Sequence, residues 1–168
     1  METAGYLGML MRLQRFIAWL IDLLSDTLPA SVSERKYMRR LELHSTCYSY
    51  AFQGIRSLWR ELGEDPSLRM SKDWYSKMVG YLASVWAEGD SIRAIRPPSH
   101  LRDIHGDWIA ASDHFDRYVY LMVEALATGS AAKLEEAYSQ EQLGRGCVVR
   151  ALAKSTRRAQ ETIHPDRL

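Results

Sequence analysis

Four residues have types and spacing that could hold a divalent ion: His100, Asp103, Asp107 and His114. Steps of three, four and seven place them on one face of a helix, and imidazole with carboxylate is a ligand set for first-row metals. The rise per residue, however, separates His100 from His114 by about 21 Å along the axis. One ion cannot span that, and the set lies off the apolar stripe, so it reads as a charged face and no metal is expected. His44 and His105 fall on apolar faces. A di-metal bundle site would need a glutamate one turn from each histidine. Glu42 stands two residues from His44, on the wrong face. Core histidines bonded to a tyrosine hydroxyl or a backbone carbonyl are the simpler reading. A second reading makes His44, Trp86, His105 and Trp108 the lining of an interior site for a small ligand or metal. Cys47 and Cys147 each fall near the middle of a predicted helix. They are either two small buried hydrophobes, the reading adopted, or a bridge, which would need alpha carbons within about 7 Å. No Gly-x-Ser-x-Gly elbow, phosphate-binding glycine loop or Cys–His partner motif is present. Neither an enzymatic activity nor a cofactor is expected.

The elements that position these residues are all helical. Val32 to Leu62 carries Tyr37, Leu41, His44, Tyr48, Ala51, Ile55, Leu58 and Leu62 at alternating steps of three and four, with Phe52 and Trp59 widening the stripe. Gly63 suits a left-handed cap, and Gly-Glu-Asp-Pro at 63–66 a turn. A helix from Ser71 to before Pro97-Pro98 presents Trp74, Tyr75, Met78, Leu82, Val85, Trp86, Gly89 and Ile92. Gly80 and Gly89 within it suggest close helix approach. Ser99 to Ala127 presents Leu101, Ile104, His105, Trp108, Ser112, Phe115, Val119, Met122 and Leu126. Its acids, Asp103, Asp107, Asp113, Asp116 and Glu124, are expected to be solvated. Gly129 closes that helix. Ser130 opens another to Thr162, with a kink or break expected across Gln140 to Gly146. Short connections favour antiparallel neighbours. The fold class expected is all-α: an up-down-up-down four-helix bundle over 31–163, a hydrophobic to amphipathic N-terminal helix within 1–28, and a frayed tail at 164–168.

The N-terminal stretch Tyr6 to Leu24 is apolar almost all round, with Gly8, Arg12, Arg15 and Asp22 in one narrow stripe. It has about the 20 residues of a membrane span. Arg12, Arg15 and Asp22 would each cost about 2.5–3.5 kcal/mol near the bilayer centre, which argues against spanning. Burial against protein, or residence in a membrane interface, fits better. Four helices already make a complete fold, so this fifth is expected either to complete the core or to meet a partner through Phe16, Ile17, Trp19, Leu20, Leu23 and Leu24.

Charge adds little: 22 basic and 21 acidic residues give a net charge of +1, and no nucleic acid partner is expected. Arg145, Arg150, Lys154, Arg157 and Arg158 read as a solvated helix end that suits the macrodipole. Two cysteines are too few for a disulfide framework, and Glu2 and Gly5 do not make the basic start of a secretory signal.

Between Leu82 and Ala137, a helix ends at Ile95-Arg96-Pro97-Pro98, the next starts with Leu101, Ile104-His105 and Trp108, and Thr128-Gly129-Ser130 turns into another. This pattern resembles small bacterial extracytoplasmic helical-bundle proteins and lipoproteins. The resemblance covers about a third of the chain. It implies a helical bundle with a structural His105, and no activity. The lipid-attachment cysteine of such proteins is missing from this N-terminus.

The function expected is that of a non-enzymatic interaction protein, a subunit or adaptor of a larger assembly. It would bind a protein partner or a second copy through the N-terminal helix, with a membrane surface as a further partner and a membrane-peripheral or extracytoplasmic location. The alternative is the interior-site sensor bundle.

Overall fold

The computed structural model describes residues 32–163, with side chains described over 34–158. Four helices make up nearly all of it: α1 (Val32–Glu64), α2 (Lys72–Arg93), α3 (Arg102–Thr128) and α4 (Ala131–Ile163). One 3-10 turn, Pro66–Met70, joins α1 to α2, and a second, Ser99–Leu101, leads into α3. No strand occurs among the described residues, so the all-α expectation holds. The N-terminal segment, with Phe16, Ile17, Trp19, Leu20, Leu23 and Leu24, lies outside the described residues, as does the 164–168 tail.

Local chemistry sets the boundaries. Asp65 is extended, and its carboxylate accepts from the Ser67 backbone N–H at 3.0 Å while Pro66 occupies a first-turn position that needs no donor. Ser71 caps α2 by accepting from the Trp74 N–H at 3.3 Å. The Trp74 indole then donates to the Leu58 carbonyl at 3.0 Å, tying the turn to the end of α1. Pro97-Pro98 cannot continue α2, which ends at Arg93. Gly129 takes the left-handed conformation at φ 71°, and its N–H reaches the Ala125 carbonyl at 2.8 Å.

Three glycine expectations need correction. Gly129 is the only glycine with positive φ among the described residues, and α1 runs through Gly63 to Glu64, so Gly63 is not a left-handed cap. Helix α4 continues unbroken through Gly144 and Gly146. A β-carbon on Gly144 would lie 2.4 Å from the Phe115 ring, so this glycine serves close packing rather than a break. Gly80 has open space around it, whereas Gly89 does face a neighbour: a β-carbon there would meet Asp116 Oδ1 at 2.9 Å.

Consecutive helices pack against one another, and their apolar stripes converge on one cluster. At its middle the rings of Tyr48 and Phe52 from α1 meet Phe115 and Tyr118 from α3, with centroids 4.8–5.3 Å apart across the helices. Such tilted pairs contribute about 0.5–1.5 kcal/mol each beyond area burial. The flanks are held by polar pairs. Between α1 and α2, His44 Nδ1 meets Glu88 Oε2 at 2.5 Å. Between α2 and α3, Arg93 donates to Asp113 at 2.7 Å and to Asp116 at 2.5 Å. Between α3 and α4, Lys154 meets Asp107 at 2.6 Å, His114 meets Gln140 at 2.8 Å and Lys133 meets Glu124 at 3.2 Å.

Candidate functional site

The four residues that suggested a metal are each taken by a different partner. His100 pairs with Glu34, Asp103 accepts from Arg158 at 2.8 Å, Asp107 holds Lys154, and His114 bonds Gln140. Among the described residues no three histidine, cysteine or carboxylate groups stand close enough to hold an ion. The expectation that the α3 acids are solvated fails for two of them. The side chains of Asp107 and Asp116 are only 14% and 19% exposed, because they sit in the seams against α4 and α2 as counter-ions to Lys154 and Arg93. Burial pushes the Asp116 carboxyl up, against the pull of Arg93.

The interior set His44, Trp86, His105 and Trp108 is split. His105 and Trp108 are buried on α3. His105 Nδ1 lies 3.2 Å from the Tyr37 hydroxyl. Burial lowers the His105 pKa and raises that of Tyr37, which favours the neutral form of both, and the imidazole tautomer sets which of them donates. This is the tyrosine-bonded core histidine anticipated for an apolar face. Trp108 supplies a carbonyl to Ser112 Oγ at 3.0 Å, which in turn accepts from Tyr48 at 3.2 Å. His44 is partly buried on α1 and committed to Glu88. Trp86 is 46% exposed, so it looks outward from α2 and does not join the other three. A stripe four residues wide on a two-sided apolar helix cannot tell its inner edge from its outer one.

The cysteines are both free. Cys147 is buried, with the Arg150 guanidinium 2.9 Å from its sulfur. Burial, and next the neighbouring Glu88 carboxylate, push the Cys47 thiol up. A nucleophilic cysteine needs the opposite, a cation or helix N-terminus that favours thiolate. His44, Cys47 and Glu88 therefore form an interhelical contact whose thiol is held protonated.

Glu141 is the one buried carboxylate among the described residues, 5% exposed in α4. It accepts from Arg56 at 3.2 Å and from Arg145 at 2.5 and 2.9 Å, and the Arg145 guanidinium also stands 5.4 Å over the Phe52 ring. All three bonds fall on Oε1, so two arginines set their charge against one carboxylate that is largely withdrawn from water. The neighbouring Tyr118 hydroxyl is buried with no hydrogen-bond partner among the described residues.

The feature that whole-chain charge concealed is at one end of the molecule. Glu34–His100, Tyr37–His105 and Asp103–Arg158 bring together the start of α1, the α2–α3 connection with the start of α3, and the last turns of α4. Residues 34–42, 93–107 and 147–158 hold eleven lysines and arginines against four carboxylates. The rest of the chain holds eleven against seventeen. Six of these cations, Lys36, Arg39, Arg40, Arg96, Arg102 and Arg157, are exposed and in no ion pair among the described residues. Sequence reading found only the α4 part of this end, because the three stretches are far apart along the chain. No family model, curated protein or solved structure matches the chain.

Proposed function

We propose that the protein is a non-enzymatic helical-bundle adaptor: an up-down-up-down bundle over 31–163 that docks to a partner through the apolar N-terminal helix. The observation that carries this reading is that the four described helices converge on one apolar cluster of their own. An additional segment as apolar as Tyr6 to Leu24 is then surplus to the bundle, and left uncovered it would form a patch larger than soluble monomers normally carry. The order of the cross-helix pairs supports the alternating topology. Along α3, Asp103, His114 and Glu124 meet Arg158, Gln140 and Lys133 in turn, so one helix is read backwards against the other. A non-enzymatic role is supported by the thiol held protonated beside Glu88 and by the commitment of each histidine with a described side chain to a neighbour.

The test is the solution mass by light scattering, without detergent, for the full chain and for a chain starting at Ser31. An oligomeric or insoluble full chain beside a folded monomeric truncation supports docking through the segment. A monomeric full chain beside an unfolded truncation makes the segment part of the core and refutes the reading.

A further inference from the structure

We infer that the seam between α1 and α4 holds a site for a small organic monocarboxylate, bound through Arg56, Arg145 and the Tyr118 hydroxyl. It uses none of the His44, Trp86, His105 and Trp108 set. Consecutive helices pack closely, but α1 and α4 do not, and long side chains bridge the seam between them. Arg56 reaches across from α1 to Glu141 on α4. Arg145 bonds the same carboxylate from one turn further along α4, with its guanidinium over the Phe52 ring of α1.

The hydrogen bonds of this seam do not balance. Arg56 uses only Nη1, and Arg145 only Nε and Nη2, all on Glu141 Oε1. Nε and Nη2 of Arg56 and Nη1 of Arg145 have no acceptor among the described residues. The Tyr118 hydroxyl, on a fully buried side chain, has no partner among them either. Glu141, Arg56 and Arg145 are the charged groups that act on it, so it faces this cluster. Burial, and next Glu141, push its pKa up, which keeps it a donor. One turn along α1 from Arg56, the Trp59 Nε1–H is also buried without a partner among the described residues. Apart from Glu141 Oε2, every unmatched group here is a donor, and a donor-rich site selects a ligand rich in acceptors.

Charge narrows the class. Two guanidiniums face one carboxylate, a surplus of one positive charge. Burial, and next Arg145, lower the Arg56 pKa, and the attraction of Glu141 only partly offsets them. A carboxylate brings one negative charge and meets arginine through two N–H donors at once. A phosphomonoester brings about −1.5 to −2, more than the surplus. The Arg56 and Arg145 side chains are 40% and 26% exposed, so their free donors are reached from solvent. Tyr138, one turn before Glu141 on α4, is half-open and offers its ring to an apolar body.

The experiment is calorimetric titration of the full chain with cyclohexanecarboxylate, its neutral amide and inorganic phosphate, at matched ionic strength. The variants are Arg56→Gln, at a partly exposed side chain, and Tyr118→Phe. Circular dichroism checks that both keep their helices. We expect the carboxylate to bind and the amide and phosphate not to. Each variant should weaken binding by about 10- to 100-fold, the loss of one hydrogen bond to a charged group. Without ligand, Tyr118→Phe should hold or raise the melting temperature, because it removes an unpartnered hydroxyl. No heat at millimolar carboxylate overturns the site, and so does binding that neither variant weakens. Equal binding of the amide overturns the role of charge, and equal binding of phosphate overturns the carboxylate class. A melting temperature lowered by Tyr118→Phe without ligand shows that the hydroxyl is already satisfied by Glu141 or a water, which overturns its role as a ligand donor.

Discussion

Replacing Gly144 by alanine should destabilise the protein or leave it unchanged, although the same change at Gly80 should stabilise it. Both glycines lie inside α-helices, so each substitution gains the same helix propensity, about 0.8–1 kcal/mol. At Gly80 a new β-carbon meets nothing within 4 Å, and the full gain survives. At Gly144 it would stand 2.4, 2.7 and 3.0 Å from three atoms of the Phe115 ring. That ring is 3% exposed and is backed by Tyr48 and Phe52 at 4.8 and 4.9 Å, so it has no room to retreat. Overpacking of this kind costs about 1–3 kcal/mol. The net for Gly144→Ala then runs from near zero to about 2 kcal/mol destabilising, and the two variants should differ by about 1–3 kcal/mol. For a domain of this size each kcal/mol moves the melting temperature by about 2–4 °C. Gly146→Ala is the internal control: it sits in the same helix two residues on, and its β-carbon would meet only Arg150 Nη1 at 3.8 Å. Thermal unfolding followed by circular dichroism, with urea midpoints alongside, resolves these differences. If Gly144→Ala raises the melting temperature as much as Gly80→Ala and Gly146→Ala do, the close approach of α4 to Phe115 is wrong. Adding Phe115→Leu should relieve the clash, giving a favourable coupling in the double-mutant cycle.

Two further outcomes follow from the buried polar groups. Arg145→Met should cost more than Glu141→Met, about 2–4 against about 0–2 kcal/mol by urea unfolding, because the first leaves a buried carboxylate with one arginine while the second leaves two arginines able to turn to water. Equal costs would mean that Glu141 is not desolvated. His105 is held neutral by burial, with its pKa below the ordinary 6.5. Unfolding restores the ordinary value, so below about pH 6.5 the unfolded chain binds the extra proton and stability falls as pH falls toward the folded-state pKa. Above that pH this contribution is fully present. His105→Phe should flatten the slope of stability between about pH 7 and 5. An unchanged slope would show that other groups set it.

Helix existence and type were legible because the apolar stripes repeat at helical spacing over seven or more positions. Ser71 and Gly129 were legible as boundaries because each satisfies backbone groups that any helix end leaves open. Gly63 misled because a helix stops where competing interactions stop it, here at the Asp65–Pro66 turn one residue past Glu64. Asp107 and Asp116 misled for a related reason. A carboxylate beside an apolar stripe reads as solvated unless its counter-ion is known, and Lys154 and Arg93 lie 47 and 23 residues away. Trp86 misled because α2 carries no charge from Met78 to Ala87, so its outer face resembles its inner one. His105 was read correctly as a core histidine, since an imidazole on an apolar face must find a polar partner, and Tyr37 is that partner.

The same argument applies to the charge of the whole molecule. A net charge of +1 is a sum over positions, whereas a surface acts through the charges within about a Debye length of each other, about 8 Å in physiological salt. Interleaved acids and bases neutralise one another inside that distance, as the α3–α4 seam shows, where Asp103, Asp107, Glu124 and Glu136 each face a base. Segregated charges do not. With eleven bases against four acids gathered at one end, the surplus there is +7, and the remainder of residues 34–158, with eight bases against twelve acids, carries −4. A surplus of one sign at one end gives the described bundle a direction in an external field that its net charge does not reveal.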